Sequence, residues 1–179
     1  MTNPKPLTPA GWAEFRQRMP LLLESEGVWE GWYRYYDAAT GKLTDQHRSR
    51  LFCRIMEEDA SFPYYQTNQY FWGDGRTEIR EFPAWYEDGR IWWDNALITG
   101  WAAPMSPDDG NRSTCLSWVR KGEPDMYLYE MIQHAEDGIH RARTWQWFRK
   151  GICFQRTLID EKRVSRDWEN WTDNSPPKD

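Results

Sequence analysis

Met126-Tyr127-Leu128-Tyr129-Glu130-Met131-Ile132-Gln133-His134-Ala135-Glu136-Asp137-Gly138-Ile139-His140-Arg141-Ala142-Arg143-Thr144-Trp145-Gln146-Trp147-Phe148-Arg149 is the stretch that decides the fold. Two runs rich in aromatic and branched residues flank Asp137-Gly138. Asp-Gly takes up the positive φ angles of a tight turn, so this order signals a hairpin. Alternation puts Met126, Leu128, Glu130, Ile132 and His134 on one face of the first arm, and Tyr127, Tyr129 and Met131 on the other. In the second arm Arg141, Arg143, Trp145, Trp147 and Arg149 share a face, against His140, Ala142, Thr144, Gln146 and Phe148. Neither face is dry. A β-sandwich presents one apolar face to its partner sheet. Mixed residues on both faces suit a barrel with a semi-polar lumen and a partly covered outside.

Working outward, the same punctuation recurs at Thr40-Gly41, Asp74-Gly75, Asp88-Gly89, Asp109-Gly110, Lys121-Gly122 and Lys150-Gly151. Strands are predicted at 28–36, 43–57, 64–72, 76–82, 90–95, 97–103, 113–120, 125–134, 139–149 and 151–162. The fold class is therefore mainly β: an antiparallel up-and-down barrel of about ten strands with an N-terminal helix. A sheet wrapped around one helix is the alternative. The helix begins at Thr8, an N-cap, with Pro9 at its first position. Trp12, Phe15, Met19, Leu22 and Leu23 lie along one side of it, and Pro20 should kink or break it. Residues 1–7 are expected as a disordered lead, 8–172 as one barrel domain and 173–179 as a disordered tail, with Trp168 and Trp171 available to dock on the barrel.

Composition supports a packed domain. The chain of 179 residues has 13 Trp, 9 Tyr and 7 Phe, so an aromatic core offsets a low mean hydropathy. A net charge of -5 argues against a nucleic-acid backbone as partner. Cys53, Cys115 and Cys153 stand far apart and suggest reduced thiols, not a disulfide framework or metal motif. The N-terminus lacks a signal-peptide pattern and no apolar run reaches membrane-span length, so a cytoplasmic address without membrane contact is expected. The sequence leaves monomer and homodimer open.

Gly27-Val28-Trp29, after a short helix and at the first strand, resembles the Gly-x-Trp signature of lipocalins and the wider calycin group. The resemblance implies that Trp29 plugs the closed end of the barrel and that a late basic residue packs across it: Arg156 first, Arg163 second. Tyr65 to Tyr70, Trp72-Gly73-Asp74-Gly75, Trp93-Asp94-Asn95, Gly100 and Arg141-x-Arg143-Thr144-x-Gln146 resemble an uncharacterised calycin-like (lipocalin-related) β-barrel family of bacteria, over roughly residues 20–163. That resemblance implies a fold and leaves the reaction open. The chain departs from secreted lipocalins in having neither a secretion signal nor paired cysteines.

If Trp29 points inward, Gly31, Tyr33 and Tyr35 do as well. Glu130 sits in an apolar run where a buried carboxylate needs a partner, and Arg143 or Arg141 on the adjacent arm can supply it. Two readings stay open for Glu130: a structural or outward-facing carboxylate, or a general acid or base. The candidate catalytic set is Glu130, Arg143, Tyr33 and Tyr35. The candidate ligand-binding set is Gln66, Asn68, Tyr70, Trp72, Arg141, Trp145 and Trp147, in which amides and hydroxyls fix a polar head inside aromatic walls. The alternative for Gln66, Asn68 and Tyr70 is an outward polar face. His47, His134 and His140 lack metal spacing, although a hairpin could bring His134 and His140 near each other. No cofactor and no metal are expected, and P-loop, dinucleotide and triad fingerprints are absent.

Three function classes follow. One is an intracellular small-molecule-binding barrel for an aromatic or apolar ligand with a polar or anionic end. Another is a cofactor-independent enzyme (lyase, isomerase, decarboxylase or cyclase) acting on a phenolic, polyketide-like or isoprenoid substrate. The third is a structural barrel with a filled lumen.

Overall fold

A computed structural model describes residues 4–56, 61–105, 112–123 and 125–178. The described residues form two short helices and ten strands: α1 (Pro9–Arg18), α2 (Pro20–Glu24), β1 (Gly27–Asp37), β2 (Leu43–Ile55), β3 (Tyr64–Phe71), β4 (Thr77–Glu87), β5 (Arg90–Asp94), β6 (Ile98–Pro104), β7 (Ser113–Arg120), β8 (Met126–His134), β9 (His140–Arg149) and β10 (Ile152–Ser165). Each strand pairs antiparallel with its sequence neighbour, and β1 pairs with β10, so the sheet is a closed up-and-down barrel. The turn expected at Asp109-Gly110 lies outside the described residues. β4 runs on past its expected end through Pro83, which pairs with Tyr65 of β3, while pairing with β5 starts only at Trp85.

Thr8 caps α1 through its side-chain oxygen, which accepts from the Gly11 amide. Pro20 cannot continue that helix, so Met19 separates α1 from α2. Both helices cover one end of the barrel. Phe15 packs edge-on against Tyr86 at 5.2 Å, and Phe15, Met19 and Leu21 are buried there. Trp29 is fully buried at the same end, and its indole N–H donates to the Ser25 carbonyl at 2.7 Å.

The basic residue across Trp29 is Arg163, whose guanidinium lies 5.1 Å from the ring centroid. Register explains the choice. Trp29 pairs directly with Arg163, whereas Arg156 pairs with Tyr36 near the other end and is exposed on the outer wall. Arg141 approaches the Trp29 ring as well, at 4.1 Å. The chain after β10 lies against the outer wall. Trp168 donates to Glu26, and the Asp173 carbonyl accepts from Arg50 at 2.8 Å. No described helix is long and apolar enough to cross a membrane.

Candidate functional site

The period of two carries one residue set of every strand into the lumen. From β1 these are Trp29, Gly31, Tyr33 and Tyr35; from β3, Tyr64, Gln66, Asn68 and Tyr70; from β8, Leu128, Glu130, Ile132 and His134; from β9, Arg141, Arg143, Trp145 and Trp147. The structure turns these faces of β3, β8 and β9 inward, a choice the sequence left open. Lumenal polar residues need internal partners, and the chain supplies them.

The centre is an ionic network in a largely dry wall. Arg143 Nε donates to Glu130 at 2.6 Å. Its Nη1 donates to the Tyr33 hydroxyl at 3.0 Å and reaches Glu161 at 3.3 Å. The Tyr33 hydroxyl in turn donates to Glu161 at 2.8 Å. Arg141 pairs with the other Glu161 oxygen. Two arginines and two carboxylates balance in charge, and all four side chains are nearly inaccessible. Burial disfavours the charge on Glu161, yet Arg141 and Arg143 hold its carboxyl below the usual range. Burial likewise opposes charge on Arg143, but Glu130 outweighs it and keeps Arg143 firmly protonated. Burial pushes the Tyr33 and Tyr35 hydroxyls up, so both are neutral.

Gly31 makes the network possible. It pairs with Glu161, and a Cβ there would meet the Asp160 carbonyl oxygen and come within 2.9 Å of Glu161 Cγ. Sequence reasoning missed Glu161. The one available signal was its place opposite a strand glycine and in phase with Ile159.

A second cluster lies on the β1–β2–β3 wall. His47 stacks on Tyr33 with centroids 5.0 Å apart, and its two ring nitrogens meet the Tyr35 hydroxyl and the Ser49 hydroxyl, each at 3.0 Å. Burial holds His47 neutral, with its pKa down to about 4. Gln66, Asn68 and Tyr70 form a ladder: the Gln66 amide donates to Asn68 at 2.7 Å, and the Asn68 amide to the Tyr70 hydroxyl at 2.8 Å.

Inside these walls lies about 900 Å3 of free space, counting what opens to solvent, and about 90 Å3 of it admits the centre of a water molecule. One water needs only about 10–15 Å3 on that measure, so the lumen is not packed solid. One side of the cavity is apolar, with Phe82, Ile91, Trp93, Ile98, Leu116 and Trp118; the other carries Gln66, Asn68, Tyr70, Glu130, Arg141 and Arg143. Trp145 and Trp147 stand between them, 5.6 Å apart. Leu22 and Ser25 form the helix-covered floor together with His134. Arg80 and Arg120 line the opposite end. Arg80 is held by Glu78 through two hydrogen bonds of 2.7 and 2.9 Å. Arg120 has no hydrogen-bond or ion-pair partner among the described residues; burial and the adjacent Arg80 lower its pKa.

Of the expected site residues, Glu130, Arg143, Gln66, Asn68, Tyr70, Arg141, Trp145 and Trp147 line this cavity. Tyr33 and Tyr35 face the lumen but are packed in its wall, behind the lining. Trp72 follows β3 and packs on His47 at 4.8 Å, outside the lining, with its indole nitrogen donating to Asp45 at 3.3 Å. The hairpin does not unite His134 and His140. His134 is lumenal and buried, while His140 is exposed on the outer face, bonded to Asp137 at 2.6 Å. Burial and nearby Arg141 hold His134 down to about 4. Among the described residues no three His, Cys, Asp or Glu side chains gather as a metal site would need.

No family model matches this chain. No curated protein matches it. Solved structures do. One is a protein of unknown function from the DUF3598 family of Nostoc punctiforme, 14% identical, with a TM-score of 0.59 over 80% of this chain and 49% of that one. Another is the S-type phycobiliprotein lyase CPES from Guillardia theta, also 14% identical with a TM-score of 0.59, over 80% of this chain and 90% of that one. The chain thus spans about half the length of the DUF3598 protein and most of the lyase. What it shares with them at this identity is the fold.

Proposed function

We propose that this protein binds a small, partly aromatic ligand in the barrel lumen, taking the apolar body between tryptophan and aliphatic walls and a polar or anionic end against arginine and amide groups. The observation that carries this reading is the two-sided cavity: an apolar half facing a polar half, with Arg120, which has no ion-pair partner among the described residues, at one end. Such a lining is what concave ligand sites use, apolar area for affinity and a few polar groups for orientation. The same cavity counts against the filled-lumen alternative. A cytoplasmic address, a monomer or homodimer, and no nucleic-acid or membrane partner belong to this reading. Native mass spectrometry of the purified protein tests it. A co-purified small molecule, or saturable uptake of one aromatic acid, is the expected result; an empty barrel that takes up nothing from a broad aromatic-acid set would sink it.

A second reading is favoured by one observation, that Glu130 and Arg143 converge on the cavity. In it the barrel is a cofactor-independent lyase or isomerase. A substrate anion draws on Arg143, which loosens its hold on Glu130 and leaves that carboxylate to move a proton. Tyr33 then acts as a positioning residue, through Glu161 and Arg143. That a barrel of this architecture carries the name phycobiliprotein lyase is in keeping with such a role. Glu130→Gln should abolish turnover while leaving ligand affinity largely intact, and equal loss of both would count against it.

A further inference from the structure

Among the described residues, three buried polar atoms on side chains that line the cavity have no partner: Nε1 of Trp93, Nε1 of Trp145 and Nδ1 of His134. Two other indoles of the lumenal wall are satisfied. Trp29 donates to the Ser25 carbonyl at 2.7 Å and Trp147 to the Thr157 hydroxyl at 2.9 Å. A buried donor or acceptor left unmade costs about 1–3 kcal/mol. Three of them around one cavity form a set waiting for a molecule.

The hydrogen-bond network assigns the His134 hydrogen. The Ser25 hydroxyl gives its hydrogen to the Leu21 carbonyl at 2.8 Å. It therefore meets His134 Nε2, 3.3 Å away, as an acceptor. The hydrogen sits on Nε2, and the bare Nδ1 accepts. The floor thus offers an acceptor and the middle of the cavity two donors, while the far end presents the cations of Arg120 and Arg80. Thr114 and Arg120 line opposite ends of the cavity on β7, six residues apart. That is about 20 Å of strand, and the side chains reaching in from both ends leave on the order of 10 Å between the groups they hold.

Resting on the binding reading, we propose that the lumen takes an elongated aromatic acid end-on. A hydroxyl or N–H at its inner end donates to His134 Nδ1. Trp93 and Trp145 flank its body, where an ether or hydroxyl oxygen accepts from them in any ligand that carries one. Its carboxylate stops at the far end against Arg120 and Arg80.

The test is calorimetric titration of the full chain with 4-hydroxycinnamate, cinnamate and methyl 4-hydroxycinnamate. The first is expected to bind most tightly, with each of the others about tenfold weaker. Arg120→Gln should erase the acid-over-ester preference and keep the hydroxyl preference; His134→Phe should do the reverse. If His134→Phe does not fold, nitrogen NMR of the parent replaces it. Nδ1 should resonate as unprotonated, and shift with 4-hydroxycinnamate but not with cinnamate. Equal affinity for both acids and the ester overturns this inference and leaves the binding reading standing. Preferences that survive both substitutions overturn it too. If none of the three binds, this inference falls, and native mass spectrometry with the broad aromatic-acid set decides the binding reading separately.

Discussion

Gly31 lies directly opposite Glu161 across the β1–β10 pair, and the space of its missing side chain is where the Glu161 carboxylate enters the lumen. A methyl group at this position has backbone on one side and the Glu161 stem on the other, so neither can yield by a rotamer change alone. Gly31→Ala should therefore cost about 2–4 kcal/mol of stability, in the range of overpacked cores and broken buried networks. Urea unfolding of the two proteins measures it, and a cost under 0.5 kcal/mol would show that the strands part more easily than this packing implies.

Removing one charge from the buried network leaves its partners uncompensated. Glu161 serves Arg141, Arg143 and Tyr33, while Glu130 serves Arg143 alone. Glu161→Gln should destabilise by about 3–5 kcal/mol, and Glu130→Gln by less, because Arg143 keeps Glu161. The order of the two denaturation midpoints is the decisive measurement; Glu130→Gln as the more damaging change would contradict this account.

Two buried neutral histidines make stability depend on pH. His47 and His134 have pKa values of about 4 when folded, against about 6.5 when unfolded. Between those values the unfolded chain binds more protons, so stability is full above pH 6.5 and falls as pH drops toward 4. The expected loss from pH 7 to pH 5 is roughly 2 kcal/mol per histidine. Urea midpoints across that range check it, and His47→Gln should flatten the slope. A profile flat down to pH 5 would rule out neutral buried imidazoles.

The segment after β10 should contribute measurably. Arg50 is 1% exposed although it sits on the outer wall, because Glu30 pairs with it, Phe71 flanks it and the Trp171 ring covers it at 5.0 Å. Trp171→Ala uncovers that guanidinium and should cost about 0.5–2 kcal/mol, with a matching fall in thermal midpoint. An unchanged midpoint would mean the segment lies on the barrel without holding it.

The strand ladder was legible in the sequence because the turns are written in residues that tolerate positive φ, as at Asp88, Gly89, Gly138 and Gly151. Alternation grouped the residues of β3, β8 and β9 into faces, but which face turns inward was not written in the sequence. The partner of Glu130 was readable too, since β8 and β9 share a tight hairpin. Glu161 was not. On β10 the outer face carries Leu158 and Val164 and the inner face Glu161 and Arg163, so polarity does not announce the lumen. Choosing Arg163 over Arg156 required the register of β1 against β10, which no local signal fixes. His134 showed no metal-like spacing in the sequence, and the acceptor role proposed for it rests on the Ser25 and Leu21 contacts, which no local pattern announces.

The seam between β1 and β10 joins the earliest and latest strands of the ladder. On a ribosome, β1, which ends at Asp37, waits for about 115 residues of synthesis before its second neighbour begins at Ile152. That last strand brings Glu161, so Arg141 comes out ahead of the carboxylate that neutralises it, while Arg143 already has Glu130 of β8. Until then the inner wall is a charged, open trough, and shutting the barrel and discharging its interior become a single late event in the chain's biogenesis.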